Sequence, residues 1–273
     1  MYAGSTLTKN SGSIFGAHQK IDKVARRHID NLLPNNNFPG IKQILHFEGD
    51  NGPDGIKRKS PAKDEPWHFI RPYDLEDIQL ITLIKNHYIE LVKALESAND
   101  IRAAFEAAWL SHAMVDGLTP AHHYPYEEKL KELRNGQDLS TRTNMKERLI
   151  MSGDKKTEMI VNNWKMWGPK GLFTTHAAFE GGVATIIAPL TLQRGIPSVQ
   201  LIAQLKKDGI DVWFRKQAQQ IADLQLYDIF YKYGWTTNLT RQIRSTLAPL
   251  LVQTVTCVWY LAIEQSMNNI GTI

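Results

Sequence analysis

The sequence predicts an all-α protein, a single-domain helical bundle, and three observations carry that expectation. Apolar residues recur at three- and four-residue spacing through eight long segments, no stretch alternates convincingly enough to build a sheet, and the breaks between segments are marked by Gly, Pro and Asn. The 273 residues, 42% of them hydrophobic, suffice for one sizeable core, and no composition shift or linker divides them. One domain is expected over residues 1–273.

The first helix, Ile14 to Leu33, puts His18, Ile21, Ala25, His28, Ile29 and Leu32 on one side. His18 therefore lies on the stripe that faces the interior, where a histidine needs a partner. Pro34-Asn-Asn-Asn-Phe-Pro-Gly40 stops this helix, and the loop from Asp50 to Pro72 is too long for a plain connection, so it is expected to carry site residues. Helical spacing resumes over Leu75 to Leu95, Asp100 to Val115, Tyr126 to Leu133 and Thr157 to Trp167, ending at Gly168-Pro-Lys-Gly171. It continues over His176 to Leu190, stopped by Gly195-Ile-Pro197, then over Ser198 to Tyr233 and Thr240 to Ser266. The longest apolar run, Thr246 to Ile263, is interrupted by Pro249, Gln253, Thr254 and Thr256. A buried core helix is expected there rather than a transmembrane segment, which wants about 20 predominantly apolar residues.

The formal charge of +4 is mild, so affinity for nucleic acid does not follow from it, while an anionic substrate is permitted. Cys257 is the only cysteine, which excludes an intramolecular disulfide and a thiolate-rich zinc finger. A metal site must then be built from His, Asp and Glu. Residues Met1 to Ser13 lack the charged start, apolar run and cleavage site of a secretory signal, and a cytoplasmic location is expected.

Two pairs are the most informative feature: His112-x-x-x-Asp116 and His176-x-x-x-Glu180. Four residues advance a helix by about 400°, so each imidazole and carboxylate stand on one face and can converge on a cation. Gly117 and Pro120 end the first helix and let His122 reach back toward a neighbouring ion. Together they read as a multi-zinc hydrolase site. His28, His46 and His87 read as structural or exposed, His123 as a neighbour orienting a ligand, and Lys57-Arg-Lys59 as a solvated run.

With these residues assembled, the chain resembles the zinc-dependent phospholipase C and P1 nuclease superfamily. Gly16-Ala-His18 resembles its N-terminal histidine segment, and Pro53-Asp54 with His68-Phe-Ile-Arg-Pro resembles its Asp and His-Phe-x-x-Pro pair. His112-x-x-x-Asp116-x-x-Thr-Pro-x-His122 and His176-x-x-Phe-Glu180 follow in family order. The resemblance covers His18 to Glu180 and implies two or three zinc ions. Asp54, His68, His112 and Asp116 would surround one; His122, His176 and Glu180 would hold the second. Asp116 would bridge toward a third that His18 completes, and Asp54, with Asp50 as its rival in the loop, would position or deprotonate the attacking water.

Three departures from the family pattern stand out. No tryptophan precedes His18 to supply the family's terminal ligand. Gly55 and Glu65 occupy the neighbourhood where choline-cleaving members place aromatics. An extra charged helical insertion, 126–167, falls between His122 and His176, where a lid or partner surface is expected. No lipid-binding β-sandwich follows, so membrane docking would have to come from the domain itself. The implied function is a phosphodiester-hydrolysing, zinc-dependent phosphoesterase, with phospholipid favoured over single-stranded nucleic acid. The alternatives are a P1-type nuclease or nucleotidase and a non-catalytic zinc-stabilised scaffold. Trp67, Phe69, Tyr124 and Tyr126 could serve a lipid or a stacked base.

Overall fold

The computed structural model describes residues 16–48, 51–55, 68–142 and 144–270. Among them there are helices and turns and no strand, so the all-α class holds.

Helix α1 (Ala17–Leu32) buries His18, Ile21, Ala25, His28 and Ile29, the side its periodicity marks as inward. After the short α2 (Ile41–His46), helices α3 (Gln79–Glu96) and α4 (Asp100–Gly117) form a hairpin. Its turn takes Ala98 at φ +52°, and the Asn99 side chain caps α4 by accepting from the Arg102 N–H. Small residues Ala103, Ala104, Ala107 and Ala108 let neighbouring helices approach α4 closely.

A 3-10 turn, Pro120–His123, leads into α5 (Tyr126–Leu133), α6 (Met145–Leu149) and α7 (Lys156–Trp167). This 126–167 segment builds a small core of its own from Leu130, Met151 and Met166, with Tyr126, Leu133, Trp167 and Leu172 against it. Helix α8 (Leu172–Ile187) starts four residues earlier than expected, so His176 and Glu180 occupy its second and third turns.

The stretch expected as one helix, Ser198 to Tyr233, is three: α9 (Val199–Asp208), α10 (Ile210–Asp223) and α11 (Leu226–Tyr233). Gly209 at φ +75° and Gln225 at φ +50° break it while apolar spacing continues across both breaks, which is why the pattern conceals them. A short α12 (Thr237–Gln242) and a π turn (Ile243–Leu247) precede α13 (Ala248–Ile270). Pro249 has no N–H to donate and its ring crowds the preceding turn, so the backbone widens there. Long and apolar enough by composition to cross a membrane, Thr237–Ile270 nevertheless has 67% of its apolar window buried inside the protein. Helix α13 packs on α1, α3 and α4, and the Trp259 indole N–H donates to Ala107 O at 3.2 Å.

Where α4 ends, Leu80 of α3 and Phe214 of α10 press on Gly117. A Cβ there would lie 2.5 Å from Leu80 Cδ2 and 2.8 Å from Phe214 Cζ, and both side chains are fully buried. Only glycine allows this approach one residue after Asp116. Gly117→Ala is expected to lower the unfolding free energy by about 1–3 kcal/mol through overpacking, read from denaturant titration; an unshifted midpoint would show that Leu80 and Phe214 can retreat.

Candidate metal centre

The buried face of helix α4 carries four polar side chains, Glu106, Ser111, His112 and Asp116, among apolar ones, and the last three lie toward its C-terminal end. Asp116 is 3% exposed, and histidines from three elements approach it. His18 of α1 brings Nε2 to 3.3 Å from Asp116 Oδ1, and His112 brings Nε2 to 3.3 Å from Oδ2. These two rings stack, with centroids 4.1 Å apart. His122 arrives from the 3-10 turn, with Nδ1 3.7 Å from Asp116 Oδ1.

The local fold of that turn explains its arrival. Thr119 donates its hydroxyl to Val115 O at 2.8 Å, the His122 N–H donates to Thr119 O, and Pro120 opens the turn. The other edge of His122, Nε2, lies 2.9 Å from Glu180 Oε1, and His176 Nε2 lies 3.2 Å from the same oxygen. The His122 and His176 rings are nearly parallel, 5.3 Å apart. His122 thus stands between Asp116 and Glu180 and joins two groups of donors.

Asp54 sits in a helical turn over 53–55, with Oδ1 3.8 Å from His112 Nε2 and its side chain 21% exposed. The structure brings it near the Asp116 end. The His68 ring lies 5.2 Å from the His122 ring, beside Phe69. Asp50, Lys57-Arg-Lys59, Glu65 and Trp67 lie outside the described residues.

Charge follows geometry. Burial opposes ionisation of Asp116, but favourable interactions with surrounding groups, the His122 and His112 imidazoles among them, hold its carboxyl well below the usual carboxylate range. Glu180 is likewise penalised by burial and likewise held low, by His176 and His122. Burial also works against a charge on His112, yet Glu48 and Asp116 outweigh it and raise that imidazole well above its ordinary value. Burial pushes His122 down to about 4 and His123 down to about 4, so both are neutral donors near pH 7.

Glu48 belongs to this centre, and the sequence reading missed it. It follows α2, is 1% exposed, and places Oε2 3.3 Å from His112 Nδ1, the edge of the ring turned away from Asp116. Behind it Ser111 donates to Asp22, whose carboxyl is pushed well up by burial and then by Glu48. The signal was present in Phe47-Glu48-Gly49, but the adjacent His46 drew attention and is exposed.

The remaining histidines have other duties. His28 Nε2 meets Leu192 O at 3.2 Å, and His87 Nδ1 meets Glu106 at 2.5 Å, with Arg102 on the other Glu106 oxygen. His123, expected to orient a ligand, meets Gly117 O at 2.9 Å and so ties the turn to the end of α4.

Among the described residues, two groups have donor atoms mutually within 4.8 Å and could hold a metal ion: His18, Glu48 and His112, and His122, His176 and Glu180. Fold and site together define an all-helical protein with a buried candidate metal centre of nitrogen and oxygen donors. No protein-family model matches the chain, and no curated protein or solved structure matches it.

Asp116→Ala is expected to remove more bound metal per chain than His176→Ala, because Asp116 faces three imidazoles while His176 serves one group. Elemental mass spectrometry decides this, and equal full loading of both variants with wild type would sink the centre. Glu48→Gln is expected to weaken metal affinity about 10–100-fold in chelator competition, the usual cost of losing a carboxylate behind a ligating histidine.

Proposed function

We propose that this chain is a zinc-dependent phosphoesterase of the phospholipase C and P1 nuclease type, hydrolysing a phosphodiester by direct attack of water. The observation that carries the reading is the shared Asp116 carboxylate, faced by His18, His112 and His122, with the His176–Glu180 group on the far edge of His122. The donor chemistry fits zinc. Buried His, Asp and Glu converge, and among the described residues Glu48 Oε1, His122 Nδ1 and His176 Nδ1 are buried without a hydrogen-bond partner. His18, Asp54, His112 and Asp116 would hold metal at one end, with Glu48 behind His112, and His122, His176 and Glu180 would hold it at the other. Zinc bound there supplies Lewis-acid polarisation of the phosphoryl group and acidifies water near neutral pH.

The chain's own residues do the rest. Asp54 is more exposed than Asp116 or Glu180, which puts its carboxylate where water enters; it orients that water and accepts its proton. The neutral His122 keeps the two donor groups in register. The buried carboxylates stay ionised and fix the imidazoles without needing solvent.

One pocket favours a phospholipid over a nucleic-acid strand. A cleft of about 390 Å³ opens beside His122 between Phe69, Tyr124 and Tyr126, and Glu76, Asp77, Glu127 and Glu128 line it too. Aromatic walls suit an acyl or cationic head group. Arg71 lines it as well and pairs with Asp77, and the carboxylates in excess of it disfavour a polyanionic strand, which needs a basic groove.

Hydrolysis of a bis-aryl phosphodiester is expected to stop on chelation and return on adding zinc. Asp54→Ala is expected to cut turnover at least about 100-fold while most zinc stays bound. Full activity in that variant would remove Asp54 from the mechanism, and a fully zinc-loaded wild type without hydrolysis would return the chain to the scaffold reading.

A further inference from the structure

Helix α7 in the 126–167 insertion places Met166 in the small core but turns asparagines inward beside it and several large apolar residues outward. Its inward side carries asparagines: Asn162 donates to Ser152 O at 2.9 Å, and Asn163 donates to Met151 O and accepts from the Met151 N–H. Its outward side carries Ile160, Val161 and Trp164, which are 65%, 49% and 68% exposed. A helix in water normally puts these residue types the other way round.

The apolar surface extends past the helix. Trp167 donates to Leu149 O at 2.8 Å and packs on Phe173 with ring centroids 4.9 Å apart. That draws the exposed Leu149, Ile150 and Phe173 to the same end of α7. Gly168 lies against the Trp164 ring, so little more than backbone separates the two parts. A contiguous exposed apolar patch of this kind marks an interaction surface rather than scattered surface residues.

Charge identifies the partner. Residues 142–170 hold seven Lys and Arg against three Asp and Glu, a net +4 that equals the charge of the entire chain. Lys146, Lys155, Lys156, Lys165 and Lys170 of this segment are exposed, Lys165 and Lys170 beside a cleft that Asn162 and Leu172 also line. An outward tryptophan with aliphatic neighbours in a net-basic, lysine-rich segment is complementary to the acyl and head-group boundary of an anionic bilayer. Phe173 is also three residues before His176 on α8, so the patch and the candidate centre share a helix.

We infer that the outward face of α7, with Leu149, Ile150 and Phe173, docks the protein on an anionic lipid bilayer. This deepens the phospholipid reading and rests on it for the choice of a bilayer over a protein. The insertion, with its own small core, is the element that presents the candidate centre to lipid.

The test is co-sedimentation of the zinc-loaded protein with phosphatidylcholine vesicles, with and without phosphatidylglycerol. Wild type is compared with Ile160→Ser/Trp164→Ser and with Lys155→Glu/Lys165→Glu. All four positions are exposed, so unchanged zinc content reports an intact fold. Wild type is expected to bind, more tightly with phosphatidylglycerol and less tightly as salt rises. The apolar double variant is expected to lose at least about tenfold in partition, and the charge variant to lose the phosphatidylglycerol preference. Hydrolysis of the soluble phosphodiester should be equal in all three. Absence of wild-type binding overturns the inference, as does equal binding by the apolar variant. So does a dimer in sedimentation equilibrium that the apolar variant abolishes, since the patch would then join two copies. Vesicle binding without phosphodiester hydrolysis would defeat the enzymatic reading and leave the docking face standing.

Discussion

A carboxylate buried at the end of α4 must be compensated, and the arrangement of the helices around it answers that requirement. Removing Asp116 from water costs several kcal/mol unless positive or hydrogen-bonding partners surround it. His112 comes from its own helix, one turn back, which any helix could provide. His18 requires α1 to cross α4 at one height, and His122 requires the chain to reverse within six residues after Asp116. Gly117 makes that reversal compatible with packing, because α3 and α10 close directly on its backbone. The polar centre and the apolar core are therefore set by the same contact.

The consequences run outward through His122. With one ring edge toward Asp116 and the other on Glu180, it fixes where α8 lies relative to α4. The backbone of Ile70 donates to His122 O, so the segment that carries His68 and Phe69 is tied to the same residue. Shape and charge at the aromatic, acidic cleft beside it follow from that tie.

Much of this was legible in the sequence, and the parts that were not share a physical reason. The i,i+4 pairs were readable because helix geometry alone decides which side chains share a face, and His18 because the stripe around it is apolar. Glu48 was hidden because its meaning is tertiary: a carboxylate after a six-residue helix has no periodicity, and only the packing of α2 on α4 brings it to His112. The His68 ring stands next to His122, a neighbour that motif order does not name, because motif order does not fix where a loop lands. The breaks at Gly209 and Gln225 were missed because apolar spacing persists across them.

The insertion shows where pattern and function separate. Helical spacing alone does not say which of its residues face inward, and hydrogen bonds from Asn162 and Asn163 to the Ser152 and Met151 backbone take that side. Those backbone groups belong to a loop with no helix partners of its own, so asparagine inside satisfies them better than isoleucine would. Once the asparagines face in, Ile160, Val161 and Trp164 have to face out, at a hydration cost that folding alone does not recover. A bilayer docked there would recover it, and the 142–170 segment, whose net charge of +4 equals that of the whole chain, would restrict that recovery to an anionic surface.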